Sequence, residues 1–199
     1  MAFQALTFLR PGDLVDTGRI AAAVREIIDA IGEDPQREGL AGTPRRIADM
    51  YAELFAGLCQ DPREVLGGGF SETKEDVVIL RDIPFYSLCE HHFLPFYGSA
   101  HVGYIPNGRL VGISKIARAL DILAKRPQVQ ERLTRQMADA ILEGLNADGV
   151  AVVLRAEHMC LSMRGARKPG SRVVTSAVRG PFAKGSVGRG EFLTLVHGS

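Results

Sequence analysis

The stretch VAVVLRAEHMC, residues 150–160, alternates between two sets of side chains along its whole length. Its even positions are apolar or soft metal ligands, whereas its odd positions include Arg155 and Glu157. A period of two is typical of a β-strand that buries one face, so we predict a strand over Val150–Cys160. On such a strand His158 and Cys160 share the buried face, which would bring a reactive imidazole and a thiol side by side.

A second group of metal-ligand residues is Cys89-Glu90-His91-His92, where a thiol and two imidazoles fall within four residues. The Cys-x-x-His spacing suits zinc, because thiolate sulfur and imidazole nitrogen are both ligands that this ion prefers. If the segment is extended, His91 and His92 point to opposite sides. Buried thiols and core histidines are ordinary in proteins, and for either cluster alone we favour that interpretation. Both clusters together favour a metal site.

Composition sets the outer bounds on the class of protein. The chain has 199 residues, of which 46% are hydrophobic and 24% charged, enough for one core with appended elements. The net charge is +1, so no overall bias points to nucleic acid or to a membrane. The chain has only three cysteines and lacks a signal-peptide pattern, and it has no apolar run near the ~18 residues that a membrane helix needs. We therefore predict a soluble cytoplasmic protein.

The sequence pattern of the N-terminal part predicts helices. Apolar residues at steps of three and four predict an amphipathic helix over Asp13–Ile31. A second helix is predicted from Thr43-Pro44, with Thr43 as N-cap, to about Leu58, and Cys59 is interpreted as structural. The run Gly67–Gly69 then breaks the pattern. We therefore expect an N-terminal helical segment over residues 1–70 and a second domain over residues 71–199.

The following segment changes to the pattern of strands. We predict strands over Val77–Leu80, Phe85–Leu88 and Tyr97–Ile105. A tight-turn sequence, Ile105–Gly108, precedes a returning strand over Leu110–Ile113, so Tyr97–Ile113 is interpreted as a hairpin.

A helix capped by Ser114 comes next, and Lys115 and Arg118 lie near its start. Exposed N–H groups and two cations favour an anion there, although a solvated basic face explains the same residues. Another helix is predicted from Pro127 to about Leu145, with Gln130 and Glu131 in its first turn. A carboxylate at that position stabilises a helix by its charge alone.

The last part of the chain holds a basic loop and a further strand. Arg164 lies in a loop with Arg167 and Lys168, and a strand is predicted over Arg172–Val178. The tail Glu191–Val196 is apolar enough for a short helix or strand, and neither is favoured.

Four of these segments together resemble the signature segments of GTP cyclohydrolase I: Ser87–Phe93, Gly112–Arg118, Gln128–Leu133 and Glu157–Cys160. The resemblance covers Thr43 to about Phe182 in the family's order and spacing. It implies an α+β tunnelling fold, in which two helices are inserted between two antiparallel hairpins (ββααββ), behind the N-terminal helical segment. The chain departs from the family pattern at Gly188 and Gly190, where a better helix former is usual.

The resemblance also implies a zinc site and a reaction. Cys89, His92 and Cys160 would bind Zn²⁺ and leave the fourth position to water, as in other catalytic zinc sites. The family converts GTP and water to formate and 7,8-dihydroneopterin triphosphate, the first step of folate- and tetrahydrobiopterin-type pterin synthesis. In that reaction an activated water attacks C8 of the purine, the imidazole ring opens, and the ribose is rearranged before the new ring closes.

The resemblance implies further roles for the residues that match the family's signature segments. The implied catalytic residues are His91, His158 and Ser114, and the implied substrate-binding residues are Gln130, Glu131, Lys115, Arg118, Arg164 and Arg46. His91 would protonate the purine, His158 would assist proton transfers, and Gln130 with Glu131 would read guanine. Ser114 would share the triphosphate or ribose with the basic residues, and Arg46 would reach it from a neighbouring subunit. The family's toroidal homodecamer, with active sites at subunit interfaces, is the expected assembly.

Two other classes of function stay open on sequence grounds. In a non-catalytic module the zinc is structural, and a fourth protein ligand such as His101 would favour that interpretation. A related tunnelling-fold enzyme would keep the fold but act on another purine or a pterin.

Overall fold

The structure is a computed structural model that describes residues 15–71, 76–184, 192 and 194. The described residues up to Gln60 form one compact unit, and those from Asp61 onward form a second. The functional division near residue 70 stays a prediction. Except for Phe192 and Thr194, the predicted tail Glu191–Val196 lies outside the described residues. Within the described part of the chain, no helix has the length and apolar character needed to cross a bilayer.

The first unit is built on two helices, α1 (Thr17–Ala30) and α2 (Thr43–Leu54), which pack on each other. Asp16 caps α1, because its carboxylate accepts a hydrogen bond from the Arg19 N–H at 2.9 Å. The helix predicted over Asp13–Ile31 is confirmed, but it begins at Thr17 and ends at Ala30, with Asp16 and Ile31 as its caps.

The ends of the second helix differ from the prediction. Gly42 occupies the N-cap of α2 and Thr43 is already helical, so the predicted cap at Thr43 is wrong by one residue. The α-helix also stops at Leu54 rather than Leu58, because the chain tightens into a 3₁₀ turn over Ala56–Cys59.

The second unit is an antiparallel sheet with helices packed on it. Its elements, in chain order, are α3 (Pro62–Leu66), β1 (Phe70–Ser71), β2 (Val78–Cys89), β3 (Pro95–Ile105), β4 (Arg109–Leu110), α4 (Ile113–Ala124), β5 (Pro127–Gln128), α5 (Gln130–Leu145), β6 (Gly149–His158), α6 (Met159–Ser162) and β7 (Arg172–Arg179), followed by a 3₁₀ turn over Gly180–Lys184. The main sheet has the order β5-β2-β3-β6-β7. The pairs β2–β3, β3–β6 and β6–β7 are antiparallel, and β5 runs parallel to β2. Helices α4 and α5 separate the two hairpins, so the predicted α+β tunnelling fold is confirmed.

The sheet buries side chains on both faces. On one face, apolar residues of α4 and α5 such as Ile116 and Met137 form the main core with Phe96 of β3. On the other face a smaller cluster includes Phe182 and Phe192, whose ring centroids are 6.1 Å apart. The C-terminal segment therefore contributes a second, separate core.

Three predictions about the strands need correction. The predicted strands Val77–Leu80 and Phe85–Leu88 are one strand, β2, with an irregularity between Leu80 and Ile83. The predicted hairpin over Tyr97–Ile113 does not form: β4 pairs with β1. The reason is that β3 already pairs on both sides, with β2 and with β6, so it has no free edge.

Two predicted helix starts are also wrong. Helix α4 begins at Ile113 with Gly112 as N-cap, so Ser114 lies inside the first turn and caps nothing. Pro127 does not open a helix, because it pairs with Leu88 as strand β5, and α5 begins at Gln130. This short strand places the start of α5 beside the end of β2.

The strand predicted over Val150–Cys160 ends two residues early. Strand β6 stops at His158, and Cys160 lies in the short helix α6. The argument that His158 and Cys160 share one strand face is therefore wrong, because the backbone changes conformation between them.

Candidate metal centre and active site

The first part of the site is the turn that follows β2. Cys89 ends the strand, and its carbonyl oxygen accepts a hydrogen bond from the Phe93 N–H at 2.8 Å. Phe93 has a φ of +51°, a left-handed conformation that lets the chain reverse quickly. The Cys89 N–H in turn donates to the Leu94 carbonyl at 2.9 Å. The predicted extended geometry is therefore wrong here, and His91 and His92 lie in a tight turn.

Three ligand atoms converge at this turn. The sulfur atoms of Cys89 and Cys160 and one ring nitrogen of His92 all lie within 4.8 Å of one another. Cys89 is buried, Cys160 is half-buried, and His92 is exposed. In a tetrahedral zinc site with bonds of about 2.0–2.3 Å, ligand atoms are roughly 3.3–3.8 Å apart. The group therefore fits a metal ion after a small closure, and the sequence prediction of these three residues agrees with their placement.

The two thiols affect each other. Burial raises the pKa of the Cys160 thiol, and the neighbouring Cys89 raises it further. Two thiolates at this distance repel each other, and a bound cation would remove the repulsion. The pair therefore has the electrostatic character of a cation site.

His101 is not part of this group. It is buried in β3, opposite Val153 of β6, and its Nδ1 accepts a hydrogen bond from the Asp82 N–H at 3.3 Å. Among the residues that the structure describes, no fourth His, Cys, Asp or Glu joins the three ligands. His101 therefore cannot serve as the fourth protein ligand of a structural zinc site.

His91 stands beside the metal-ligand group with a different orientation. Its Nδ1 is 3.7 Å from the Cys89 sulfur, and its ring plane is turned by 84° from that of His92. The His91 side chain is 63% exposed. The two adjacent imidazoles thus differ in place: a ring nitrogen of His92 belongs to the group of three ligand atoms, and His91 lies beside that group.

An ion pair connects this turn to helix α5. The Glu90 carboxylate accepts two hydrogen bonds from the Arg132 guanidinium, at 2.5 and 2.9 Å. These hydrogen bonds lower the pKa of Glu90. Sequence reasoning missed this pair, because Glu90 and Arg132 belong to separate motifs and no local spacing links them.

His158 forms the opposite side of the site, at the end of β6. Its ring stacks on Phe96, with centroids 4.7 Å apart and planes within 4° of parallel. Its Nε2 lies 2.8 Å from Oε1 of Gln130. Burial lowers the pKa of His158, and the negative charge of Glu131 partly opposes that shift. The structure therefore favours a neutral imidazole held in a fixed plane.

Gln130 and Glu131 occupy the first turn of α5, as predicted, but in different environments. Gln130 is 1% exposed, and its amide group contacts residues of β6 and β7. Glu131 is exposed. Of the two side chains, only that of Glu131 is exposed to solvent.

The basic candidates lie in three places. Ser114, Lys115 and Arg118 are on the first turns of α4, where Ser114 and Arg118 are exposed and the Lys115 ammonium donates to the Gly67 carbonyl. Arg164 is exposed in the loop after α6, and its charge partly opposes the rise in the pKa of Cys160. Arg46 is exposed on α2 of the first unit.

Comparison with known proteins decides the family. Residues 20–197 match the family model described as GTP cyclohydrolase I. This chain belongs to the GTP cyclohydrolase I family. The resemblance drawn from the four sequence motifs is thereby confirmed, and the chain is an enzyme of this type.

Several GTP cyclohydrolase I relatives match over nearly their whole length. A protein of Dehalococcoides mccartyi named GTP cyclohydrolase 1 is 60% identical over 185 residues, which cover 92% of this chain and 98% of the relative. Proteins of the same name from Carboxydothermus hydrogenoformans and Corynebacterium aurimucosum are 59% and 57% identical, covering 92% and 91% of this chain and 96% and 93% of the relatives. A solved structure of the archaeosine synthase QueF-Like in the apo form aligns with a TM-score of 0.41 and 18% identity, covering 55% of this chain and 97% of that one.

Proposed function

We propose that this protein is a zinc-dependent GTP cyclohydrolase I, which hydrolyses GTP at C8 of the purine, releases formate and yields 7,8-dihydroneopterin triphosphate. Family membership supports this activity, which is the first step of folate- or tetrahydrobiopterin-type pterin synthesis. The observation that carries the proposal is the convergence of Cys89, His92 and Cys160 next to His91. Such a centre combines a metal-ligand group with a side chain that can move protons.

Zinc is the metal that the ligand set favours. Two sulfur atoms and one imidazole nitrogen suit a borderline-soft ion better than Mg²⁺ or Ca²⁺, which take oxygen ligands. When bound, zinc would supply a Lewis acid that lowers the pKa of a coordinated water. Cys89, buried at the end of β2, fixes one ligand, and Cys160 in α6 brings the second from the other hairpin.

Two histidines would transfer protons in the reaction. We assign His91 as the acid that protonates the purine as its five-membered ring opens, because its imidazole is accessible beside the ligand group. We assign His158 to the proton transfers that follow, because its ring is held in one plane against Phe96. Ser114, exposed at the start of α4, is kept as a further catalytic candidate.

The guanine base would be read at the start of α5. A carboxylate accepts hydrogen bonds from both N–H donors of guanine's Watson–Crick edge, which adenine does not offer. Glu131 is exposed there and suits this role. The prediction also names Gln130, whose side chain is buried.

The triphosphate and ribose would be held by the basic residues. Lys115 and Arg118 lie on the first turns of α4, where backbone N–H groups also favour an anion. Arg164 adds a cation near Cys160. Arg46, on α2, would come from a neighbouring subunit, as the family pattern implies.

We further propose a closed homodecamer with active sites at subunit interfaces, made of a helical segment (1–70) and a catalytic domain (71–199). Exposed apolar side chains on the first unit support burial against other copies: Ile27, Ile31, Met50 and Leu58. The location would be cytoplasmic, which agrees with three cysteines that are all free.

One assay tests the reaction. The purified protein is incubated with GTP and zinc, and formate is measured together with the fluorescent pterin obtained after oxidation. The proposal predicts both products from GTP and neither from ATP, and a chelator should stop the reaction. Binding of GTP without formate would support a non-catalytic module instead, and turnover of another purine or a pterin alone would support a related tunnelling-fold enzyme.

A further inference from the structure

The buried side chain of Gln130 lies in a network that the proposed reaction does not explain. Its Nε2 is 3.1 Å from the Leu154 carbonyl, 3.0 Å from the Val173 carbonyl and 3.1 Å from the Thr175 hydroxyl. Its Oε1 is 2.8 Å from Nε2 of His158. Every polar atom of the side chain thus has a partner within the chain, which is unusual for a residue expected to contact substrate.

The two carbonyl partners fix which way the amide points. A carbonyl oxygen only accepts hydrogen bonds, so the NH₂ group of Gln130 must face Leu154 and Val173. Rotating the amide by 180° would place Oε1 against two other oxygens at about 3 Å, with no proton between them. Hence Oε1 faces His158.

The hydroxyl network agrees with this orientation. Thr134 donates to the main-chain carbonyl of Gln130 at 2.7 Å, so its proton is committed there. The contact of 2.6 Å between Thr134 and Thr175 must then use the proton of Thr175. Thr175 consequently only accepts from Gln130, which requires an N–H of Gln130 on that side.

The proton on His158 follows from the same reasoning. An amide oxygen only accepts, so Nε2 of His158 carries the proton in the 2.8 Å contact with Gln130. We propose that Gln130 is a positioning residue, which fixes the orientation of the His158 ring by accepting a hydrogen bond from its Nε2–H.

This role, which rests on the proposed function, gives His158 a fixed orientation in the site. The hydrogen bond to Oε1 of Gln130 holds one edge of the ring. Stacking on Phe96, with ring centroids 4.7 Å apart, fixes the plane of the ring.

Kinetics separate this role from guanine recognition. Gln130→Met keeps the length of the side chain but removes the acceptor for His158. We expect kcat to fall by about 10- to 100-fold, on the scale of impaired acid–base catalysis, while KM for GTP changes by less than about two-fold. A matched control is Gln136→Met on the same helix, whose Oε1 accepts from Gln128 at 2.8 Å, and it should keep kcat. A large rise in KM at unchanged kcat would overturn the proposal in favour of a guanine contact.

Neutron diffraction from crystals of the unmodified, metal-loaded protein grown in D₂O tests the proton position directly, even if Gln130→Met does not fold. The proposal predicts deuterium on Nε2 of His158, along the line to Gln130. Deuterium on Nδ1 alone would overturn it. Failure of the proposed function has a different signature, namely no formate from GTP, and the deuterium position still decides the state of His158.

Discussion

The two sides of the site are built in different ways. On the side of β2, Cys89 and His92 are three residues apart, and main-chain hydrogen bonds of one tight turn place them. On the side of β6, His158 is positioned by Phe96 and Gln130, residues from other strands and helices. A local turn is sufficient to bring metal ligands together, whereas a fixed imidazole plane requires buried contacts between distant segments.

Removing a metal ligand should have the largest effect and should be equal on both sides. Cys89→Ala in the turn and Cys160→Ala in α6 should each reduce bound zinc from about one ion per chain to near none, and formate release should fall to background. Metal analysis with the GTP assay measures both. If Cys160→Ala kept its zinc while Cys89→Ala lost it, the two sides would not form one centre.

The next effect separates a ligand from its neighbour in the turn. His92→Ala should lose zinc, but His91→Ala should keep nearly one ion per chain and lose on the order of 100-fold in turnover, the scale for a positioned general acid. Metal content and kcat on the same samples give the answer. Zinc lost from His91→Ala and retained in His92→Ala would mean that the two roles are exchanged.

This difference explains how much the sequence could predict. The order of strands and helices is a local pattern, and it is confirmed. The Cys-x-x-His spacing is also local, and its Cys89 and His92 do lie together in the structure. Other features depend on which segments meet in space. They are the pairing of β4 with β1, the start of α5 at Gln130 and the ion pair between Glu90 and Arg132. No period or spacing along the chain records such contacts.

A smaller effect concerns the accessible residue at the start of α5. Glu131→Gln keeps the shape of the side chain but removes the charge that would accept from two guanine N–H groups. We expect KM for GTP to rise by about 10-fold, corresponding to roughly 1.5 kcal/mol for hydrogen bonds to a charged group, and zinc content to stay unchanged. Unchanged KM and unchanged preference for GTP over ATP would mean that Glu131 is only a helix-end charge.

The smallest effect is expected for the link between the turn and α5. Arg132→Met removes the guanidinium that pairs with Glu90, and since both side chains are partly exposed, kcat/KM should fall by about five-fold or less. Arg135→Met, at an exposed position of the same helix, is the control and should be neutral. In a double-mutant cycle, adding Glu90→Gln to Arg132→Met should lower kcat/KM only slightly further. Fully additive losses would show that the pair does not act as one unit.

X-ray absorption spectroscopy of the zinc-loaded protein tests the central claim, a three-ligand centre shared by the two sides, most directly. The account predicts two sulfur neighbours at about 2.3 Å and two nitrogen or oxygen neighbours at about 2.0–2.1 Å, which correspond to Cys89, Cys160, His92 and one exchangeable ligand. Adding GTP should alter the nitrogen and oxygen shell and leave the sulfur count at about two. A single sulfur neighbour, or a spectrum without sulfur, would contradict the proposed centre.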